Sequence, residues 1–184
     1  MTCIIGLEHN GRVYMGCDSA ATTGYHLVST TSPKVFKNCR LLIGYSWSFR
    51  MGQILQFARN YPDIDKFLDN YEFLVSSFIP FVRGIMKDAG FLKIENNQEE
   101  SGQFMIGIRG QLFGIDSDFS VLRNNFGYDS IGSGKEYALG AMKMLLYSGK
   151  INEDPILSIG LALETSAYFC NSVRGPFVFE ELGS

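Results

Sequence analysis

Residues 2–18, TCIIGLEHNGRVYMGCD, hold two apolar-rich runs, 2–9 and 12–18, on either side of Asn10-Gly11. Both positions of that dipeptide tolerate positive φ, so an Asn-Gly between two such runs predicts a tight hairpin turn. The chain therefore opens on a β-hairpin with Thr2 at its first residue. Asp18, at the end of the returning strand, brings a carboxylate back to the level of that first residue.

The pattern continues outward from this hairpin. Residues 19–32, SAATTGYHLVSTTS, read as loop or irregular strand, and Pro33 punctuates them because proline cannot donate to a central ladder. A second hairpin is predicted from Lys34–Lys37 and Arg40–Ser46 with its turn near Asn38-Cys39. The period then changes to 3–4 residues, with Ser48 as N-cap and Met51, Ile54, Leu55 and Ala58 on one face, up to Pro62. Residues 71–88 repeat the helical spacing, and Pro80 inside them predicts a bend or split. Residues 95–102, ENNQEESG, form a polar tip. Strands are predicted at 103–109 and 111–116 around Gly110, helices at 135–148 and 155–169, and a last strand at Phe177–Glu180. Asp154 as N-cap with Pro155 behind it marks the start of the second of those helices.

Strand pairs alternating with helix pairs do not suggest βαβ units, so the order points to an α+β fold of antiparallel sheets covered by helix pairs. No repeat, low-complexity tract or linker divides the 184 residues, which read as one domain, 1–184. At 46% hydrophobic and 19% charged residues the chain has enough apolar material for a core. Its net charge of −3 argues against a nucleic-acid or anionic-membrane partner, which would select a basic stripe. No apolar run reaches membrane-span length, and the first residues show no basic region or cleavage pattern of a secretory signal. The four cysteines are scattered and only His9 and His26 are present, so neither a disulfide framework nor a metal site is expected, and a reducing cytoplasmic compartment is.

The chemistry-bearing residues are few. Gly132-Ser133-Gly134-Lys135 fails as a phosphate loop, since Glu136 stands where a magnesium-binding hydroxyl belongs. It reads instead as a tight turn at a helix start, which still presents the Ser133 hydroxyl and backbone N–H groups. The two histidines lie in a hairpin turn and a polar loop, away from any Ser-His-Asp pattern. A hydrolase here needs another base, and the chain's own α-amino group serves at neutral pH. Methionine before a small residue is normally trimmed, which leaves Thr2 with a free amine beside its hydroxyl, a recognised way to activate a threonine. Asp18 lies sixteen residues after Thr2 and Lys34 sixteen further on, each at a strand end facing the same region. A lysine ammonium near that amine and hydroxyl favours the neutral amine and the ionised hydroxyl, and Asp18 would hold the lysine charged. A plain surface salt bridge between the two is the competing reading.

Thr2-Cys3-Ile4-Ile5-Gly6, Gly16-Cys17-Asp18-Ser19, Pro33-Lys34-Val35, Ile43-Gly44, Ile131-Gly132-Ser133-Gly134 and Ala162-Leu163-Glu164 together resemble the proteasome β-subunit family and its HslV-like bacterial members, which are N-terminal-nucleophile hydrolases. The similarity is clearest over 2–46 and 130–182, down to Glu180-Glu181-Leu182. The resemblance implies an αββα sandwich, with Thr2 as nucleophile, Asp18 and Lys34 as its electrostatic partners and Ser133 as a supporting hydroxyl near the amine. It places the oxyanion donor, a backbone N–H, in Gly44-Tyr45-Ser46-Trp47-Ser48. Two departures stand out. Trp47, the only tryptophan, replaces a small glycine-rich turn, and Tyr168 stands where HslV-like chains carry an aspartate.

The resemblance further implies a threonine-type endopeptidase that assembles with identical subunits in a ring and takes polypeptide substrates. The chain carries no nucleotide motif, so an ATPase unfoldase would be a separate partner, and no cofactor is called for. A small-amide hydrolase and a catalytically silent assembly module remain as alternatives. Tyr45 and Trp47 flank Ser46 at alternate positions, so an extended chain turns both rings to one side as an aromatic wall for substrate, with burial of both in the core as the competing reading. The helix over 71–86 carries apolar residues on more than one face, which also points to an oligomer.

Overall fold

The computed structural model describes residues 2–23, 26–95 and 98–183. The expectations that touch Met1, the middle of the 19–32 loop and the 96–97 part of the polar tip lie outside the described residues. The opening hairpin forms as its sequence dictates: β1 (Cys3–His9) pairs antiparallel with β2 (Arg12–Cys17) across a turn in which Asn10 has φ 48° and Gly11 φ 73°. Next come β3 (Ala20–Thr23) and β4 (His26–Ser29), a small separate hairpin where irregular structure was expected. The second predicted hairpin is β5 (Val35–Asn38) with β6 (Leu41–Tyr45), its turn at Cys39, φ 53°, and Arg40.

The helices follow their caps. In α1 (Phe49–Phe57) the Ser48 side chain accepts from the Arg50 N–H, and the helix stops well before Pro62. A helical run then continues from α2 (Asn70–Phe73) through a π turn (Leu74–Phe78) into α3 (Ile79–Asp88). The wide turn lies just ahead of Pro80, which stands in the first turn of α3. The run is re-registered at the proline rather than broken there. After β7 (Lys93–Glu95) and β8 (Gln98–Glu100) come β9 (Phe104–Ile108) and β10 (Gln111–Ile115), turned by Arg109 and Gly110, then β11 (Val121–Leu122) and β12 (Tyr128–Gly132). The chain ends with α4 (Lys135–Tyr147), α5 (Pro155–Phe169) and β13 (Val178–Leu182). Asp154 caps α5 by accepting from both Ile156 and Leu157 N–H groups.

Two antiparallel sheets result, ordered β12-β1-β2-β13 and β11-β10-β9-β6-β5. Their facing sides bury Ile4, Val13, Met15, Cys17, Val35, Leu42, Met105, Leu112 and Ile131 against one another. On the outer side of the first sheet Cys3, Ile5 and Leu7 meet Ala138 and Met142 of α4 and Ile159, Ala162 and Leu163 of α5. On the outer side of the second, Ile43, Tyr45, Phe104 and Ile106 meet α1, the π turn and α3. The architecture is the αββα sandwich. With both faces covered, β1 and β6 must be apolar at successive positions, which is why they read as continuous runs. Each fully buried Ile or Leu contributes about 1.5–3 kcal/mol by leaving water. The edge of β2 is closed by β13, whose Glu181 pairs with Arg12 at 3.0 Å while Glu180 reaches Lys37 of the other sheet at 2.9 Å.

Candidate active site

The start of β1, the end of β2 and the head of β5 converge at one end of the sandwich. Asp18 follows β2 directly, and its carboxylate is completely buried, while Lys34, just before β5, is only 2% exposed. Lys34 Nζ donates to Asp18 Oδ1 at 2.9 Å and to the Ala20 carbonyl at 2.6 Å. Asp18 Oδ1 also accepts from the Cys3 N–H at 2.9 Å, and Oδ2 from the Ala20 N–H at 3.0 Å. The surface salt bridge that spacing left open is therefore not what forms. A buried pair is a poor source of stability, because desolvating both charges offsets their attraction. The pair is set against Cys3, the residue next to Thr2.

Thr2 is held from the other side. Its backbone N–H donates to Ser133 Oγ at 3.2 Å, Ser133 Oγ lies 3.3 Å from the Thr2 carbonyl oxygen, and the Gly134 N–H donates to that same oxygen at 3.3 Å. Gly132 makes this approach feasible: its φ of +95° is a backbone state L side chains rarely adopt. Ser133 in turn meets Ser172 Oγ at 2.9 Å, and Ser172 meets Cys170 Sγ at 3.1 Å. Ser172 and Cys170 were not singled out from the sequence, where a serine and a cysteine after a helix carry no pattern. Tyr168 is turned out to solvent. It is 84% exposed on α5, its ring set edge-on to Phe169, so the neighbours that this end of the chain supplies to Ser133 are Ser172 and Cys170.

A cleft of about 430 Å³ opens over Thr2, lined also by Ser46, Trp47, Lys93, Glu100, Gly132 and Ser133. Ser46 and Trp47 line it as expected, and Tyr45 does not. Alternation along β6 puts Tyr45 on the same side as Ile43, toward the helices, where its ring is 4% exposed, lies over Gly52 and packs against Phe36 and Phe49. Trp47 breaks the alternation, because its φ of 86° swings the chain out of the extended state and leaves the indole 59% exposed. The wall is one ring, set edge-on to Phe91 with Lys93 Nζ 5.2 Å from its centre. Lys93 and Glu100, opposite each other in the β7–β8 pair, bring charges to the cleft that no sequence pattern announced. Among the described residues nothing accepts from the Trp47 N–H.

Burial pushes the Cys3 and Cys17 thiols up to about 11, so both stay neutral beside the site. Among the described residues no group of three potential metal ligands occurs, and no cysteine is bridged.

Two antiparallel sheets between helix layers, with the first strand delivering the second residue into a cleft, make the fold that of the proteasome-type N-terminal-nucleophile hydrolases. Its similarity to particular solved structures is high in shape and low in sequence. BPH from Thiobacillus denitrificans, solved in complex with epoxomicin, superposes with a TM-score of 0.80 at 18% identity over 99% of this chain and 98% of that one. Eukaryotic HslV from Trypanosoma brucei gives 0.70 at 16% identity over the whole of both chains. Anbu, an ancestral β-subunit from Yersinia bercovieri, gives 0.68 at 14% identity over 99% of this chain and 82% of that one. No family model matches the sequence, and no curated protein does.

Proposed function

We propose that the chain, once Met1 is removed, is a threonine-type peptidase that cleaves amide bonds through an acyl-enzyme on Thr2. The observation that carries this reading is the buried Lys34–Asp18 pair set against the first residues of β1, a costly charge arrangement that the sandwich does not need for packing. In the proposed reaction the Thr2 hydroxyl oxygen bonds to the scissile carbonyl carbon while its proton passes to the Thr2 amine. The Lys34 ammonium favours the neutral amine and the developing negative charge, and the Trp47 N–H is the donor offered to the oxyanion. Collapse breaks the C–N bond, and the amine returns its proton to the leaving nitrogen. Water then attacks the ester, releasing the acid and the threonine hydroxyl.

The same reading makes the protein a subunit of a ring of identical copies that encloses polypeptide substrates. Exposed apolar side chains on the outer helix layer support it, among them Tyr137, Met144 and Tyr147 of α4 and Leu157, Leu161 and Phe169 of α5. The unbridged cysteines fit a reducing, cytoplasmic setting, and any ATPase unfoldase would be a separate chain. No helix among the described residues is long and apolar enough to cross a membrane.

Intact mass of the purified protein, before and after incubation with epoxomicin, tests the reading. Loss of Met1 followed by an adduct that maps to Thr2 and is absent from Thr2→Ala supports it, and the variant should fold normally because it lacks only a hydroxyl and a methyl. An adduct with cleavage of small amides alone selects the small-amide hydrolase. A processed chain with neither adduct nor cleavage selects the silent assembly module.

A further inference from the structure

The hydrogen bonds that begin at the Thr2 backbone N–H, which becomes the amine once Met1 is removed, do not end at Ser133. Ser133 Oγ meets Ser172 Oγ at 2.9 Å, Ser172 Oγ meets Cys170 Sγ at 3.1 Å, and the Cys170 thiol reaches back to the Ser133 carbonyl oxygen at 3.7 Å. One set of donors runs round this loop in a single direction, Thr2 N–H to Ser133, Ser133 O–H to Ser172, Ser172 O–H to Cys170 sulfur, and Cys170 S–H to the Ser133 carbonyl, with the Thr2 carbonyl as the competing acceptor for the Ser133 proton. The thiol thus holds the Ser133 turn twice, through a side chain and through the main chain. Ser172 is buried, and Ser133 and Cys170 are its side-chain partners.

We infer that Cys170, acting through Ser172 and Ser133, is a positioning residue for the Thr2 amine. This rests on the reading of Thr2 as nucleophile and base. The Ser133 hydroxyl has one proton and three places to send it: the Thr2 carbonyl at 3.3 Å, Ser172, or the lone pair of the neutral amine 3.2 Å away. The last choice would occupy the electron pair that must take the proton from the Thr2 hydroxyl. Ser172 draws the Ser133 proton off only if its own proton goes elsewhere, and the acceptor present is the Cys170 sulfur. Removing that sulfur lets Ser172 donate toward Ser133, and the chain of donors reverses. The surroundings keep the sulfur suited to this role. Partial burial opposes ionisation, but the Ser172 hydroxyl and backbone N–H, with Ser133, outweigh it and hold the thiol below its ordinary value. A relay ending in a thiol also explains how the site is completed with Tyr168 turned out to solvent.

The test is a titration of the Thr2 amine in the processed full-length protein, followed through the carbon NMR shift of Thr2 Cα, together with peptidase kinetics. In Cys170→Ala the amine midpoint should fall by about 0.5 unit, because a reversed Ser133 proton stabilises the neutral amine, and kcat should fall about tenfold with KM unchanged. Cys170→Ser, which keeps a donor and an acceptor, should restore both. Ser172→Ala cuts the same connection and should reproduce the displaced midpoint, which covers the case of a Cys170→Ala that does not fold. An unchanged midpoint in the folded variants overturns the inference, as does a loss that serine fails to restore, since packing alone would then account for it. A displaced midpoint in a protein that cleaves nothing leaves Cys170 in its role and removes the peptidase reading instead.

Discussion

The Thr2 carbonyl oxygen occupies the space that a Cβ on Gly132 would need. Thr2 immediately precedes β1 and Gly132 ends β12, lying opposite Cys3, so the close approach is built into the register of the two strands. A side chain at 132 would push Thr2 away from Ser133 and adopt an unfavourable φ of +95°. Gly132→Ala should cost roughly 2 kcal/mol of stability through strain. Its effect on turnover should be larger, on the order of 100-fold, since displacing a reacting group by about 1 Å has that effect. Thermal unfolding and peptidase rates measured on the same preparation check both.

The Lys34–Asp18 pair separates stability from activity. Lys34→Ala leaves Asp18 buried without its ammonium and should destabilise by about 3–5 kcal/mol. The double change Lys34→Met with Asp18→Asn removes both charges, but Cys3 and Ala20 donate to separate carboxylate oxygens, so the single amide oxygen replaces only one of those acceptors. That variant should recover part of the loss, unfolding about 1–3 kcal/mol below the parent for the one unmatched N–H, and remain inactive. Urea titrations of the parent, the single variant and the double variant distinguish these outcomes, and a stable, fully active double variant would contradict the proposed use of the charges.

Trp47 holds a left-handed backbone at the mouth of the cleft, a state glycine adopts freely. Trp47→Gly relieves about 1 kcal/mol of backbone strain and gives up a similar amount of contact with Phe91 and Lys93. Stability should therefore change little, and the N–H offered to the oxyanion is kept. The side-chain preference at the cleaved position should broaden toward larger groups, as read from a peptide-library profile of the two proteins.

Two thiols set an alkaline limit. Burial raises Cys3 and Cys17 from the ordinary 9.0 to about 11 in the folded chain. The unfolded chain releases those protons first, so their contribution is whole below pH 9.0 and is lost as pH rises through about 11. Cys17→Ala should flatten that decline in melting temperature over the same interval. At pH 8 a thiol reagent should label exposed Cys39 and half-buried Cys170 in the native protein, and the other two only after unfolding.

What the sequence disclosed follows from how local each signal is. Asn10-Gly11 and Asp154-Pro155 dictate their turn and their helix start through a few adjacent atoms, and both formed as read. Thr2, Asp18 and Lys34 could be singled out because strand ends brought them to one region. β12 escaped notice because Tyr128-Asp129-Ser130-Ile131-Gly132 is a strand by virtue of pairing with β1, not by composition. β7 and β8 were hidden in the same way under Glu and Gln, and they bring Lys93 and Glu100 to the cleft. The Tyr45–Trp47 wall failed at one backbone angle, since period-two alternation ends where φ turns positive. Ser172 and Cys170 were illegible for the reason that distant contacts usually are: their partner Ser133 is far away in the chain.

The Asp18 carboxylate is tied at once to β1 through Cys3, to β3 through Ala20 and to the head of β5 through Lys34. None of those three ties exists until the hairpins they belong to have closed on each other. A nascent or partly unfolded chain therefore carries a threonine with no cation beside it. On the proposed peptidase reading, amide cleavage is withheld at the ribosome exit until the sandwich is complete and lapses again when the sandwich opens, without a separate inhibitor.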